Sequence, residues 1–178
     1  MPSSNLLVAP TVLHLINKVH KPGGKILDIG PGWGKYAVLI REYVDPEAQI
    51  MGLEVWDPYI HKHRLTDLYD PVVKGDAREM TAQFYSQFDV VLIADVIEHM
   101  SLDEGVALID KIRGWIIIST PRDFFHNPKT CPPPEKHVSH WTPQAFQNLA
   151  RFDYLDNVML QDVGGVVVRL RPSEPVRT

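Results

Sequence analysis

The sequence predicts an α/β protein built on one mostly parallel sheet with helices on both faces. Two observations carry this. Short apolar runs alternate with amphipathic stretches from about residue 25 to 121. The runs are apolar throughout, which is how strands covered on both faces read. The chain has 178 residues, 44% apolar and 22% charged, enough for one domain with a real core. Right-handed crossovers then limit the topology.

Taken in order, residues 1–8 are expected to form a loose arm. A helix follows, with Val12, Leu15, Ile16 and Val19 at helical spacing behind Pro10. "KPGG" ends it in a turn, and "KILDIG" is the first buried strand. "GKYAVLIREYV" (34–44) reads as a helix and "QIMGLEVW" (49–56) as the second strand. "DPYIHKHRLTDL" (57–68) reads as a helix opened by Asp-Pro, "PVVKGD" (71–76) as the third strand, and "REMTAQFYSQ" (78–87) as a short helical segment. "FDVVLIAD" (88–95) is the clearest strand, an unbroken β-branched and apolar run. "SLDEGVALIDKIR" (101–113) is an amphipathic helix and "GWIIISTP" (114–121) the fifth strand. The rhythm then stops. Residues 122–141 hold Pro128, Pro132, Pro133 and Pro134 and no periodicity; so long a loop in a small domain points to function or disorder. "TPQAFQNLARF" (142–152) is a helix with Thr142 as N-cap and Pro143 in its first turn. "NVMLQDV" and "VVVRLRP", joined through Gly164-Gly165, make a C-terminal antiparallel hairpin over 154–171. That makes seven candidate strands. One domain over 1–178 is expected, with an N-terminal helical segment at 1–20 and the 122–141 loop near the substrate site.

Charge and cysteine content narrow the function. A net charge of −4 argues against broad nucleic-acid binding, which rests on clustered Lys and Arg. The single cysteine, Cys131, allows no internal disulfide and suits a reducing compartment. With no secretory signal pattern and no ~20-residue apolar stretch, a cytoplasmic protein without a membrane span is expected.

The stretch "ILDIGPGWGK" carries the chemistry. A P-loop needs Ser or Thr after Gly-Lys, and Tyr36 stands there. A dinucleotide turn needs a third glycine where Lys35 stands. What is present is Asp-x-Gly-x-Gly-x-Gly, from Asp28 through Gly30, Pro31 and Gly32 to Gly34. Downstream, Glu54, the pair Asp76-Ala77, and the pair Ala94-Asp95 each end a predicted parallel strand, where open α/β sheets bind ligands. The alternative is a tight strand-to-helix turn with no ligand.

These four segments together resemble the class I S-adenosylmethionine (SAM) methyltransferases. The resemblance implies a Rossmann-like, seven-stranded, mostly parallel sheet with its last strand antiparallel. It implies SAM as cofactor, held by Asp28, Gly30, Pro31, Gly32, Gly34, Glu54, Asp76, Ala77, Ala94 and Asp95. The glycine turn would pack on the methionine and ribose parts, Asp28 lie near the amino group, Glu54 accept the ribose hydroxyls and Asp76 accept the adenine amino group.

A second constellation joins "ADVIEHM" to "EKHVSHW". It resembles ubiquinone-biosynthesis O-methyltransferases and small-RNA 2′-O-methyltransferases, which implies a catalytic role for His99 and His137. It also implies a divalent metal held by Asp95, Glu98, His99 and His137, although Asp95 stands where the RNA enzymes have a glutamate. If these residues lie on a helix, spacings of three and four put Asp95, Glu98 and His99 on one face. Metal binding, general-base chemistry and a purely structural role all remain open. Phe124, Phe125, His126, His140 and Trp141 either line an acceptor pocket or form a hydrophobic flap. Trp33, Trp56 and Tyr59 either stack near the adenine or are ordinary core and rim residues. The expected acceptor is an oxygen on a small or carrier-bound molecule. A homodimer or partner chain could complete the site. The alternatives are a metal-assisted RNA 2′-O-methyltransferase and a non-catalytic partner subunit.

Overall fold

The computed structural model describes residues 6–122, 135–149, 152–160 and 165–172. After a 3-10 turn at Leu6–Val8, the order is α1 (Ala9–Val19), β1 (Lys25–Ile29), α2 (Lys35–Tyr43), β2 (Gln49–Glu54), α3 (Asp57–Lys62), β3 (Val72–Lys74), α4 (Ala82–Tyr85), β4 (Val90–Ala94), α5 (Leu102–Ile109), β5 (Trp115–Pro121), α6 (Pro143–Gln147), β6 (Phe152–Leu160) and β7 (Gly165–Pro172). The strands form one sheet in the order β3-β2-β1-β4-β5-β7-β6. β1 to β5 run parallel, and β7 is antiparallel to both β5 and β6.

Successive strand residues face opposite sides, so each side of the sheet has its own core. Ile26, Ile50, Val90, Leu92 and Ile117 pack with Val12, Leu15 and Ile16 of α1 and Tyr36, Ala37 and Ile40 of α2. Leu27, Ile29, Val91, Ile93, Ile116 and Ile118 pack with Tyr85, Leu108, Ile109 and Phe146 on the other face. This double burial is why the strands lack polar alternation. The register keeps the strand ends level: Asp28 pairs with Gly52 and Leu92, Glu54 with Lys74, and Ala94 with Ser119.

Four helices depart from the expected extents; one is α5, expected over 101–113, which ends at Ile109. The stretch 57–68 stops being α-helical at Lys62. Arg64 turns left-handed at φ 51°, and a 3-10 turn at Leu65–Asp67 follows. That break sends Leu68 and Tyr69 back against the first β–α turn. In the stretch 78–87 only Ala82–Tyr85 is helical, because the Thr81 hydroxyl caps it by accepting from Phe84 N at 3.2 Å. The Asp95, Glu98 and His99 group is not on an α-helix. Asp95 sits at φ 53° and donates its N–H to Ser119 O at 2.8 Å, leaving one 3-10 turn at Ile97–His99. α6 begins as expected, with Ala145 N donating to the Thr142 hydroxyl, and ends sooner, at Gln147.

α5 opens with a reciprocal cap. Glu104 N donates to the Ser101 hydroxyl, and Ser101 N donates to Glu104 Oε2 at 2.8 Å. On its inner face, Gly105 leaves room for Trp141. A Cβ there would lie 2.3 Å from the indole Cζ2. Gly105→Ala should therefore lower the melting temperature, because overpacking costs ~1–3 kcal/mol and exceeds the ~1 kcal/mol of helix propensity that alanine adds. Thermal denaturation of the two proteins measures the sign directly.

Candidate active site

β1 and β4 lie side by side, yet the chain leaves β1 toward β2 and β4 toward β5. Their carboxyl ends therefore border a crevice, the place where doubly wound sheets take ligands. The turn after β1 is left-handed at Gly30, Gly32 and Gly34, with φ of 65°, 56° and 76°. Packing also demands two of these glycines. A Cβ on Gly30 would lie 2.5 Å from Val96 Cγ2, and one on Gly34 2.4 Å from Leu68 Cδ1. The turn is thus locked between the segment after β4 and the segment after α3.

Carboxylates surround the turn. Asp28, 1% exposed, accepts the Tyr69 hydroxyl at 2.6 Å. Burial pushes its carboxyl up from 3.8 to about 7, against the pull of the Tyr69 hydrogen bond; nearby Glu54 adds to the rise. Glu54, 4% exposed, is also raised by burial, opposed by N–H donors from Trp56, Gly32 and Val55. The Trp56 bond is 2.7 Å. Glu54 therefore ties the glycine turn to the end of β2. Asp76 differs: its ion pair with Arg78 holds it below the usual carboxylate range. Ala77 beside it is buried, and its carbonyl accepts the Tyr85 hydroxyl at 2.6 Å. Ala94 is buried at the end of β4, and Asp95 accepts the Ser119 hydroxyl at 3.2 Å. Lys35 opens α2 behind the glycines. Burial lowers it, while Asp95 and Asp28 favour its charged form.

Beyond Asp95, the 3-10 turn and residues 135–141 come together. Val138 N and Ser139 N donate to the Glu98 carbonyl at 2.8 and 3.1 Å. That anchors His137 against His99, ring centroids 5.0 Å apart and edge-on. Trp141 then enters the core, its indole N–H donating to Ser139 Oγ at 2.9 Å. Trp141 is therefore a core anchor and lines no acceptor pocket. His140 is tied to the Arg122 carbonyl at 2.6 Å. The Glu98 carboxyl is 3% exposed. Its Oε2 accepts from Thr120, and its Oε1 has no hydrogen-bond partner among the described residues. Burial, with Asp95 nearby, raises it well above its ordinary value. One ligand atom each from Glu98, His99 and His137 lies within 4.8 Å of the others; Asp95 is outside that group.

Both imidazoles are lowered by burial, so both are neutral near pH 7. The carbonyls of Lys136 and Asp95 oppose the effect on His99, with Nδ1 3.1 Å from Lys136 O. On the outer rim, Trp33, 51% exposed, stacks on His63, and Tyr59 packs on the same ring. Tyr59 also donates to Glu135, linking α3 to the 135–141 segment. Trp56 is solvent-facing. Phe124, Phe125, His126 and Cys131 lie outside the described residues.

Residues 26–116, just over half of the chain, match the model of a methyltransferase domain. The chain belongs to the methyltransferase domain family. Among solved structures, this methyltransferase resembles 1,6-didemethyltoxoflavin-N1-methyltransferase from Burkholderia thailandensis, at 17% identity and TM-score 0.71, over 95% of this chain and 79% of that one. It also resembles magnesium protoporphyrin IX methyltransferase from Synechocystis PCC 6803, at 15% identity and TM-score 0.68, over 94% and 78%. A third likeness is to the small RNA methyltransferase HEN1, at 16% identity and TM-score 0.64, over 94% of this chain and 25% of that one. No curated protein sequence matches it. No helix among the described residues is long and apolar enough to cross a membrane.

Reading the sequence missed Tyr69, Lys35, Ser119, Thr120 and Arg78 as partners of the methyltransferase's acids. Ser119-Thr120 at the end of an apolar strand was the one local signal available; Tyr69 reaches Asp28 from 41 positions away. The raised Asp28 also sets a sign. Between about pH 4 and 7 the folded protein holds a proton that the unfolded chain releases, so stability from this group falls as pH rises through that window. Asp28→Asn keeps an acceptor for the Tyr69 hydroxyl and removes the charge. It should raise the melting temperature at pH 8 by several degrees, with the gap closing below pH ~4. Melting curves across pH 4–8 check this.

Proposed function

We propose that this methyltransferase passes the methyl group of SAM to an oxygen of a small or carrier-bound acceptor, as a single domain spanning 1–178. One observation carries the reading. The glycine turn adjoins Asp28 and Glu54, two buried carboxylates with raised pKa, and Asp95 follows the end of the neighbouring strand β4. Such a site repels a diphosphate and suits a ligand bearing a sulfonium and an ammonium. Support comes from the solved neighbours: the Synechocystis enzyme holds SAM and the Burkholderia enzyme S-adenosylhomocysteine.

On this reading Asp28 takes the ammonium of the cofactor, Glu54 the ribose hydroxyls and Asp76 the adenine amino group. His99 is the base. Burial keeps it neutral, and the Lys136 carbonyl accepts from Nδ1, which leaves Nε2 to take the acceptor's proton and stabilises the imidazolium that results. The oxygen lone pair forms the new bond to the methyl carbon. The C–S bonding pair returns to sulfur, leaving neutral S-adenosylhomocysteine. Position and water exclusion supply most of the rate.

A second reading rests on the orphaned Glu98 Oε1. Glu98, His99 and His137 form a donor set that suits a divalent cation, and a cation would satisfy that oxygen. It would lower the pKa of an acceptor hydroxyl, a ribose 2′-OH among them. The negative net charge weighs against an RNA acceptor.

Calorimetry should show SAM binding to the wild type and none to Gly32→Arg, whose side chain fills the crevice. His99→Ala should bind SAM within about threefold of wild type and lose ~10²–10⁴ in turnover. Normal turnover in His99→Ala would remove it as the base. Activity lost on dialysis against a chelator and restored by Mg²⁺, Mn²⁺ or Zn²⁺ would select the metal reading.

A further inference from the structure

We propose that Arg78 sets the selectivity of this site for an adenine base, acting as a positioning residue through Asp76. The proposal rests on the adenosyl reading above. Asp76 lies two residues past the end of β3, which stops at Lys74 instead of running to residue 76 as expected, on a turn closed by Glu79 N donating to its carbonyl at 3.0 Å. Arg78 fixes what the turn alone would leave free to rotate. Its backbone N–H donates to Asp76 Oδ1 at 2.9 Å. Its Nε is shared between Oδ1 at 3.0 Å and Oδ2 at 3.1 Å, and Nη2 donates to Oδ2 at 2.6 Å. A planar guanidinium gripping a carboxylate along one edge fixes the plane of that carboxylate. Each carboxylate oxygen thus accepts two bonds from Arg78, all from one side, so an incoming donor has to approach the carboxylate from the side away from the fork.

Arg78 is itself held. Nη1 donates to Glu104 Oε1 at 2.8 Å, while the other oxygen of Glu104 caps α5. Lys111 donates to the Arg78 carbonyl at 2.6 Å. The Tyr85 hydroxyl fixes the Ala77 carbonyl in between. Arg78 and Glu104 are each close to half exposed, and such an ion pair adds little stability. What the network supplies is orientation.

The fork also keeps Asp76 ionised and donor-free. An exocyclic amino group at purine C6 is then welcomed, and a C6 carbonyl meets lone pair against lone pair. Removing the fork frees the carboxylate to turn away from either base.

The test is titration calorimetry with S-adenosylhomocysteine and its deaminated counterpart, S-inosylhomocysteine. Wild type should prefer the adenosyl compound by roughly 10–100-fold, the value of a hydrogen bond to a charged group. Arg78→Ala should lose most of that preference by weakening adenosyl binding far more than inosyl binding. Arg78→Lys should fail to restore it, since an ammonium cannot fork. Melting curves of each variant confirm folding. Equal weakening of both ligands in Arg78→Ala, restoration by lysine, or no preference in wild type would each overturn the proposal. Binding of neither compound to wild type would instead overturn the adenosyl reading itself.

Discussion

Carboxylates kept out of water at the ends of parallel strands are the constraint around which this chain is organised. Asp28, Glu54 and Glu98 are all buried, and burial raises all three. None costs the fold what an isolated buried ion would. Each has a neutral donor beside it: Tyr69, the N–H groups after β2, and Thr120. These donors hold the acids in place without cancelling their appetite for a cation. That balance, a stability sacrificed at the site and recovered in the two apolar cores, is what makes a strand end a receptor.

The sheet was legible because its signal is local and strong. Val90 to Ala94 and Ile116 to Ile118 cannot be anything but doubly covered strands. The glycine turn and its acid were legible because three left-handed glycines at alternate positions after an apolar strand leave few alternatives. Helix extents were less so. Asp57 to Leu68 has an even helical pattern, yet Arg64 breaks it so that Tyr69 can reach a carboxylate on another strand. Periodicity has no knowledge of that distant partner. Asp95, Glu98 and His99 failed as a helix for a similar reason, since Ser119 on the neighbouring strand claims the Asp95 N–H.

The second cluster shows the other limit. Glu98 and His99 could be singled out, and so could His137, but it is bonds between distant segments, from Val138 and Ser139 to the Glu98 carbonyl and between His99 and the Lys136 carbonyl, that bring the imidazoles together. Arg78 escaped because two residues after an acid, on a polar turn, an arginine reads as a solvated side chain. Its meaning lies in the angle of its fork.

The position of β7 has a consequence for assembly in time. β7 follows β6 in the chain yet lies between β5 and β6 in the sheet. A polypeptide emerging amino end first can pair β1 to β5 as they appear. β6 then has no neighbour in the sheet until residues 165–172 have followed it. The rim of β5, including the stretch that presents Ser119 and Thr120 to the acids, stays open for the same interval. Completion of the sheet and completion of this rim are thus one late event, and a ribosome that stalls short of it releases a protein with an unpaired strand edge.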